Sequence, residues 1–350
     1  MSDLRSAELR AGGLRVAIMT DETGWHTGRL KKAFRARGVE ARCVDLATCR
    51  IDTTWSPYGL AIPGFARELP DAVFVRGIAG GTFEQVTLRL GILHALRECG
   101  IPVYNDARAI ERSVDKSMTS FLLHRAGVPT PAAWVTESAA FAQRVLMRET
   151  AARRQVVLKP LFGSQGKGLQ RLGASAARDG TLKPLPPLRG YQQVAYLQRF
   201  VGTAGASRST GTRRARSASR AGFDWRVLVI GGRAVAAMRR VGGRGWIHNV
   251  ARGAQCEPSA LDPTLAALAE RATAALGLDY AGVDLIPDPS MPDETGVPLV
   301  LEVNGVAAWR GLQSVTPIDI AAALVDDLLD RKLAGSRAGA LAALPLHAGR

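Results

Sequence analysis

The sequence predicts an α/β protein in which an N-terminal open α/β sheet is followed by a second domain of two halves. The first hundred residues alternate short apolar runs with amphipathic segments, in the order strand, helix, strand, strand, helix, strand. A helical pair broken by glycine and proline then opens a second domain, which contains two hairpins with glycines at their turns. With 350 residues and 47% apolar composition, the chain can form two or three packed layers or subdomains.

The N-terminal elements follow from the spacing of apolar residues. Strand-like runs occur at LRVAIMT, VEARCVDL, DAVFVRG and IPVYN, whereas TGRLKKAFRARG and TFEQVTLRLGILHALRECG have apolar positions at helical spacing. In an open α/β sheet, ligands bind at the carboxyl ends of the strands. Arg76 directly follows the AVFV run, so we predict that it contacts a ligand rather than serving as a surface charge.

A glycine-rich turn lies in the first half of the second domain. The stretch VLKPLFGSQGKGLQRL places Lys159 at the end of one apolar run and Gly163 to Gly168 before the next. It does not fit the Walker pattern, because Lys167 is followed by glycine instead of Ser or Thr. Both flanking runs are strand-like, so the turn caps a hairpin. Two interpretations remain open here: a mobile flap over phosphates or an ordinary flexible hairpin tip.

The last strand pair carries oxygen ligands. Glu302 and Asn304 are two residues apart, so on a strand they share one face, while Leu301 and Val303 are expected on the other. Antiparallel pairing with AGVDLI brings Asp284 alongside them. Carboxylate and amide oxygens are typical ligands of Mg²⁺, whereas a solvated polar strand face is the alternative. The combination with a glycine-rich turn and Lys159 favours a magnesium nucleotide site.

The charge and the cysteine content limit the kinds of partner and of site that the sequence predicts. The net charge of +15 is mostly arginine spread along the chain, with one dense cluster between Gly202 and Gly222 that is too polar to bury a core. Four cysteines without a Cys-x-x-Cys pair argue against a disulfide framework and a zinc site. The charged N-terminal start and the lack of a membrane-length apolar run predict a cytoplasmic protein with no membrane partner. His94, His124 and His248 are interpreted as packing or surface residues.

Six motifs between Asp71 and Asp327 identify a family. In chain order they are SVDKSMTSFLLHRAGVPTP, VVLKPLFGSQGKG, DWRVLVIGGRAVAAMRR, HNVARGA, LGLDYAGVDLI and LEVNG. With these motifs the chain resembles the ATP-grasp carboxylate-amine ligases, and within them the RimK-type glutamate ligases. AWRGLQSV and VRGIAGGTFEQV are similar to the branch acting in tetrahydromethanopterin- or methanofuran-type cofactor biosynthesis.

The resemblance implies a role for each matching residue. ATP phosphates would contact Lys116 and Lys159, under a flap that contains Gly163, Ser164, Gln165, Gly166 and Gly168. The adenine would be bordered by Gln198, Arg199, Phe200 and Val201. The transferred phosphate would be held by Arg226 and Arg240, and the metal by Asp284, Glu302 and Asn304. Substrate contacts are expected from Arg76, Asn249 and Arg310. Arg199 departs from the family pattern, which commonly has an acidic residue at this position.

The resemblance also implies a domain plan and an activity. We expect a pre-ATP-grasp α/β domain at residues 12–105, then a two-lobed ATP-grasp domain of α+β type. Its lobes would span residues 106–190 and 191–335, with an arginine-rich insertion at 202–222 and a flexible tail at 336–350.

The expected reaction joins a carboxylate to an amine through an acyl phosphate. It would use ATP and two Mg²⁺ ions, with Mn²⁺ as the alternative metal, and glutamate would be one of the small-molecule substrates. We expect a homo-oligomer. The alternatives are a ligase that modifies a protein tail or amino-acid carrier, and a non-catalytic nucleic-acid-binding module that uses the arginine-rich insertion.

Overall fold

The computed structural model describes residues 13–163, 166–174, 182–202, 222–242, 246–250, 253–288 and 296–336. The chain divides into two compact units. The first unit contains the residues up to Ile110, Ala308–Arg310 and the segment from Ile318 onward. The second contains Glu111–Ala307 and Gly311–Pro317. The predicted flap residues Ser164 and Gln165, most of the arginine-rich insertion and the tail beyond residue 336 lie outside the described residues.

The first unit is built on a four-stranded parallel sheet with the strand order β2-β1-β5-β6. Its elements are β1 (Arg15–Met19), α1 (Trp25–Ala36), β2 (Glu40–Val44), β3 (Arg50–Ile51), β4 (Leu60–Ala61), β5 (Ala72–Val75), α2 (Phe83–Glu98) and β6 (Val103–Tyr104). The central strand β5 is buried throughout, as its unbroken apolar run predicts for a parallel sheet. The helix α2 begins with a capping box between Thr82 and Gln85. The predicted α/β fold class is confirmed.

The second unit begins with a lobe that carries the glycine hairpin. Helix α3 (Ala107–Val114) spans the boundary between the two units. The elements of the lobe are α4 (Lys116–Arg125), β7 (Ala133–Thr136), α5 (Ala139–Ala151), β8 (Val156–Lys159), β9 (Gln170–Ala174), β10 (Leu182–Lys183) and β11 (Ala195–Arg199). The strands form an antiparallel sheet in the order β10-β9-β8-β11-β7. Asp115 caps α4 by accepting from the N–H groups of Ser117 and Met118, which places Lys116 at the first helical position.

The other lobe of the second unit is a five-stranded antiparallel sheet packed against one helix. Its elements are β12 (Phe223–Ile230), β13 (Arg233–Val241), β14 (Gln255–Ser259), α6 (Pro263–Leu276), β15 (Tyr280–Ile286) and β16 (Leu299–Asn304), with the sheet order β14-β13-β12-β15-β16. Gly231 and Gly232 have φ angles of 58° and 79° and form the turn between β12 and β13. Asp262 caps the start of α6, and Gly277 ends it in the left-handed region.

The chain returns to the first unit after β16. The short helix α7 (Arg310–Gln313) is followed by α8 (Ile320–Asp326) and a π-helical turn at Asp327–Leu333. Here α8 packs against α1. Tyr104 Oη donates to Asp327 Oδ2 at 2.6 Å, and Arg37 Nη2 donates to Asp330 Oδ1 at 2.6 Å. These contacts tie the return segment to the parallel sheet and to its flanking helix.

Within the described part of the chain, every helix is too short or too polar to cross a membrane.

Candidate active site

Two carboxylates meet across the last strand pair. The register of β15 and β16 places Asp284 opposite Glu302, as predicted, and Gly282 opposite Asn304, whose Nδ2 donates to the Gly282 carbonyl at 3.2 Å. The register shifts between Asp284 and Leu285, because an extra residue on β16 forms a bulge at Leu301. The expectation that Leu301 lies on the opposite face from Glu302 is therefore wrong. Both side chains line the same pocket.

Asp284 forms ion pairs with both predicted phosphate-binding arginines. Arg226 lies opposite it on β12, and its Nη2 donates to Asp284 Oδ2 at 2.9 Å while its Nε donates to Oδ1. Arg240 Nη2 lies 3.1 Å from Asp284 Oδ1. Burial alone would raise the pKa of Asp284, but the two guanidinium groups hold it below the ordinary value.

Asp224 completes this arrangement and is a residue that the sequence interpretation did not single out. The hairpin register places it opposite Arg240, whose Nε and Nη2 donate to its two carboxylate oxygens at 2.7 and 2.8 Å. Burial raises the pKa of Asp224 to about 6 despite this ion pair. Asp224, Arg226, Arg240 and Asp284 thus form a paired, largely buried set, which we call the charge cluster. The spacing of Asp224 and Arg226 on one strand face was the available sequence signal.

Lys159 lies at the end of β8 and faces the same pocket. Its Nζ donates to Gln198 Oε1 at 2.6 Å. Burial lowers the pKa of Lys159 to about 8, with Glu302 opposing that shift and Lys116 adding to it. Gln198 Nε2 is buried and has no hydrogen-bond partner within the described residues. An unused buried donor beside a lysine fits a pocket that binds a polar ligand.

Lys116 connects the helix α4 to the glycine turn. Its Nζ donates to the Gly163 carbonyl at 2.8 Å. Burial lowers the pKa of Lys116, and the carboxylates of Glu302 and Asp115 partly offset this effect. Because Glu302 raises the pKa of both Lys116 and Lys159, the two lysines are within electrostatic reach of the predicted metal-binding strand.

The glycine turn has a backbone that only glycine adopts without strain. Gly168 has a φ of 71°, and a Cβ placed on it would lie 2.8 Å from Pro160 Cγ. Tyr191 Oη donates to the Gly168 carbonyl at 2.9 Å and anchors this side of the turn. Gly163 and Gly166 also have positive φ angles, of 156° and 66°. The hairpin itself is confirmed by the antiparallel pairing of β8 and β9.

Residues 198–201 form one wall of the pocket. The ring of Phe200 contacts Trp246 edge to face at 5.6 Å, and the guanidinium of Arg171 lies 3.9 Å from its centroid. Arg199 Nε donates to Glu149 Oε2 at 2.9 Å, and Arg154 Nε donates to the same oxygen at 2.7 Å. The basic residue at this position is therefore neutralised by a buried carboxylate that lies fifty positions earlier in the chain.

The pocket in the second unit brings together a large part of the predicted site. The predicted residues that line it are Lys159, Gly166, Gln198, Arg199, Phe200, Val201, Arg240, Asn249, Asp284 and Glu302. Asp224 and His248 line it as well. His248 is buried, as a packing role predicts, and its Nδ1 lies 2.8 Å from the Gly242 carbonyl oxygen.

The predicted substrate residues Arg76 and Arg310 belong to the first unit, as do Trp309 and His26. The guanidinium of Arg76 lies over the ring of Trp309, 5.3 Å from its centroid. Burial, followed by the charges of Arg76 and Arg310, lowers the pKa of His26 to about 4.

The donor set on β15 and β16 fits a hard cation, because it offers two carboxylates and an amide oxygen. Within the described residues, no group of three or more His, Cys, Asp or Glu side chains could hold a metal ion. The set formed by Asp284, Glu302 and Asn304 differs in using an amide as its third member. The lysines and the unused donor of Gln198 fit an adjacent phosphate-bearing ligand.

Family models match both parts of the chain. The model described as the RimK-like ATP-grasp domain matches residues 113–328, and the RimK PreATP-grasp domain matches residues 14–110. Among curated proteins, the tetrahydromethanopterin:alpha-L-glutamate ligase of Methanocaldococcus jannaschii is 33% identical over 259 residues, which are 74% of this chain and 79% of that protein. The protein of the same name from Methanosarcina acetivorans is 28% identical over 318 residues, which are 84% of this chain and 92% of that protein.

Solved structures share the fold. The ATP-grasp ligase PsnB, in complex with a precursor peptide and AMPPNP, has a TM-score of 0.62 at 21% identity and covers 91% of this chain and 97% of its own. An ATP-grasp RimK domain protein from Sphaerobacter thermophilus has a TM-score of 0.60 at 23% identity, and the match covers 90% of this chain and 99% of that protein. At these identities the likeness is one of fold.

Proposed function

The chain belongs to the RimK-like ATP-grasp family, and from this membership we propose that it is a ligase that joins a carboxylate to an amine using ATP and Mg²⁺. The observation that carries the proposal is the pairing of Asp284 with Glu302 within electrostatic reach of Lys116 and Lys159. Two carboxylates and two lysines in this part of the second unit would serve as a metal site beside a phosphate site, which is the arrangement that phosphoryl transfer requires. A module that only binds nucleic acid would need neither.

Residues in and beside the pocket would each act in one part of the phosphoryl transfer. A carboxylate is a poor electrophile, and its phosphorylation by ATP yields ADP and an acyl phosphate. An amine can attack that acyl phosphate, which releases inorganic phosphate and a proton and leaves an amide. Lys116 and Lys159 would bind phosphate oxygens, and the glycine turn would exclude water above them. Arg226 and Arg240 would hold the transferring phosphate and the substrate carboxylate by forked hydrogen bonds. When bound to Asp284, Glu302 and Asn304, two Mg²⁺ ions, or Mn²⁺ in their place, would offset negative charge on that phosphate.

The proposed amine substrate is glutamate, and the proposed carboxylate substrate is a small cofactor or precursor of the tetrahydromethanopterin or methanofuran type. Two relatives that each cover more than two thirds of this chain are named tetrahydromethanopterin:alpha-L-glutamate ligases, which supports both assignments. A protein tail or an amino-acid carrier is the competing acceptor. The arginine-rich segment at 202–222 is the sequence feature that would favour a macromolecular acceptor through its charge.

The test is ADP release by the full chain with Mg²⁺, glutamate and one acceptor at a time, followed by mass spectrometry of the acceptor. We expect ADP release and a glutamate adduct with a pterin-type small molecule, and we expect neither with Glu302→Gln. If ADP is released only with a protein acceptor, and if deletion of residues 207–219 abolishes that release, the acceptor is a macromolecule and not a small cofactor. Binding of RNA across a salt series without any ADP release would refute a ligase.

A further inference from the structure

Buried hydrogen-bond donors without partners among the described residues also occur in the first unit, near the carboxyl ends of its central strands. The N–H groups of Arg76 and Gly77 both donate to the Met19 carbonyl, at 2.8 and 3.0 Å, so the end of β5 is fixed beside the end of β1. Arg89 Nη1 holds the following loop by donating to the carbonyls of Ala79 and Gly80 at 2.7 and 2.9 Å. The position of Arg76 is therefore set by a rigid backbone at the edge where α/β sheets bind ligands.

Trp309 is the centre of this cluster. Its side chain is buried, with 1% of the residue exposed. The backbone N–H of Trp309 donates to His26 Nε2 at 3.2 Å, and the two rings meet edge to face with their centroids 4.6 Å apart. Because His26 Nε2 accepts this bond, the neutral imidazole carries its proton on Nδ1. Arg76 stacks over the indole, and Arg310 lies over the neighbouring ring of Trp25. We call Arg76, Arg310, Trp309 and His26 the indole cluster.

Two side-chain donors of the indole cluster have no acceptor among the described residues. Arg76 Nε and Trp309 Nε1 are both buried, and neither has a hydrogen-bond partner within the described residues. Buried donors are nearly always paired in folded proteins, so two on one stacked pair of side chains indicate a ligand that is not part of the chain. Two other arginines of the same unit are paired: Arg29 donates to Asp319 at 2.8 Å and Arg37 to Asp330 at 2.6 Å.

The charge of the cluster specifies the ligand. The structure records an aromatic stack but no carboxylate partner for Arg76 or for Arg310 in the part of the chain that it describes, so two positive charges surround a neutral histidine. Guanidinium groups match planar carboxylates by forked hydrogen bonds, and indole faces pack against short aliphatic chains. A ligand with two carboxylates joined by methylene groups satisfies both properties.

We propose that the indole cluster binds the carboxylates of a dicarboxylic amino acid, the amine substrate of the ligase. Arg76 and the indole N–H of Trp309 bind one carboxylate, and Arg310 binds the other. The inference rests on the proposed function for the identity of that substrate, but the binding site itself does not require turnover.

The experiment is calorimetric titration of the full chain, with Mg²⁺ and a non-hydrolysable ATP analogue present. The probes are L-glutamate, glutarate, L-glutamine and inorganic phosphate. We expect L-glutamate and glutarate to bind, L-glutamine to bind at least about tenfold more weakly because it lacks one carboxylate, and phosphate not to compete. Phosphate that binds as tightly as glutarate would identify an unspecific anion site and overturn the proposal.

Three variants and one control locate the binding. Arg76→Lys keeps the charge but loses the fork, Arg310→Gln removes the second charge, and Trp309→Phe keeps the ring but loses the buried donor. Each should weaken L-glutamate binding by about tenfold or more. Arg29→Gln is the matched control, because Arg29 also lies over Trp25 but is paired with Asp319. It should bind as the unmodified chain does.

Thermal unfolding separates binding from folding. Trp309→Phe removes part of a buried ring as well as a donor that is unpaired without ligand, so the free variant should unfold at a somewhat lower temperature, and its affinity for L-glutamate should fall at temperatures where it is still folded. A lower unfolding temperature with unchanged affinity would show that the stack is structural and would overturn the inference. If the chain binds dicarboxylates through these residues but releases no ADP with any acceptor, the proposed function fails while the binding site stands. If all three variants keep ligase activity with an unchanged glutamate KM, the proposed function stands and the proposed binding site fails.

Discussion

Arg226 and Asp284 lie opposite each other on neighbouring strands, and Arg226 Nη2 donates to Asp284 Oδ2 at 2.9 Å. The residue expected to hold the transferred phosphate is thus paired with a residue expected to hold the metal. Each neutralises the other when neither ligand is bound, which removes the cost of a buried unpaired charge. Binding of a magnesium nucleotide would supply new partners of opposite charge to both side chains.

Replacement of either cluster arginine by lysine should affect the chemical step more than nucleotide binding. Arg226→Lys and Arg240→Lys keep the charge and lose the fork, so we expect kcat to fall by about thirtyfold to several hundredfold, on the order of 2–4 kcal/mol, with little change in the ATP KM. Arg233→Lys, at the exposed end of β13, is the control. Steady-state kinetics with ATP titrations decide the matter, and a pure rise in KM would make these arginines ground-state nucleotide contacts.

Glu302→Gln should abolish turnover and leave the fold intact. The substitution removes one negative charge from the predicted metal site and hardly changes the volume of the side chain. Circular dichroism and activity at increasing Mg²⁺ concentration are the measurements, with Glu257→Gln on the exposed strand β14 as the control. Near-normal activity at saturating Mg²⁺ would remove Glu302 from the site.

Lys159→Met should stabilise the free protein at neutral pH. The pKa of Lys159 is lowered from 10.5 to about 8 in the folded state, so the folded chain binds fewer protons than the unfolded chain between these values. The resulting penalty is fully present below about pH 8 and is relieved as the pH rises towards 10.5. Urea unfolding should therefore show a stability gain for the variant at about pH 7 that shrinks at about pH 10. Lys32→Met on the exposed face of α1 should show no such trend.

Glu149→Gln should destabilise the protein and reduce its sensitivity to acid. Burial by itself raises the pKa of Glu149, but Arg154 and Arg199 hold it at about 2, below the ordinary 4.5. Its contribution to stability is present above about pH 4.5 and is lost as the pH falls towards 2. We expect a loss of about 1–3 kcal/mol in the free energy of unfolding at neutral pH, measured in urea. The same loss in the exposed control Glu137→Gln would contradict this account.

Gly168→Ala should impair closure of the glycine turn. A left-handed backbone costs a non-glycine residue about 1–2 kcal/mol, and the added Cβ would also contact the ring of Pro160. We expect kcat/KM for ATP to fall several-fold and the unfolding temperature to fall by a few degrees. Gly190→Ala is the matched control, since Gly190 has open space around its Cα and no positive φ. Equal kinetics for the two variants would show that the turn tolerates the change.

The strands, the hairpins and the pairing of Asp284 with Glu302 could be predicted from the sequence, because they depend on apolar periodicity and on the order of local motifs. The bulge at Leu301 could not, since a bulge depends on how one strand meets its partner and leaves the alternation of residue types unchanged. Arg199 illustrates a second limit. Its partner Glu149 lies on α5, and only the packing of that helix against the sheet brings the two charges together.

The role of Asp224 was hidden for a related reason. A carboxylate on an amphipathic strand is usually solvated, and its burial against Arg240 follows from the hairpin register and from the adjacent sheet. The substrate assignments of Arg76, Asn249 and Arg310 stay predictions, as do the nucleotide and metal roles of the pocket residues.

The return of α8 to α1 has a consequence for biosynthesis. The strands of the parallel sheet precede the second unit in the chain, yet the helix that packs on α1, and Asp327, which bonds Tyr104, follow more than two hundred residues later. The second unit can fold while the ribosome is still translating, because its segments are nearly contiguous. Until α8 is synthesised, the face of α1 that it covers stays exposed. Nascent chains stalled before residue 318 should therefore depend on chaperones to keep that face from aggregating.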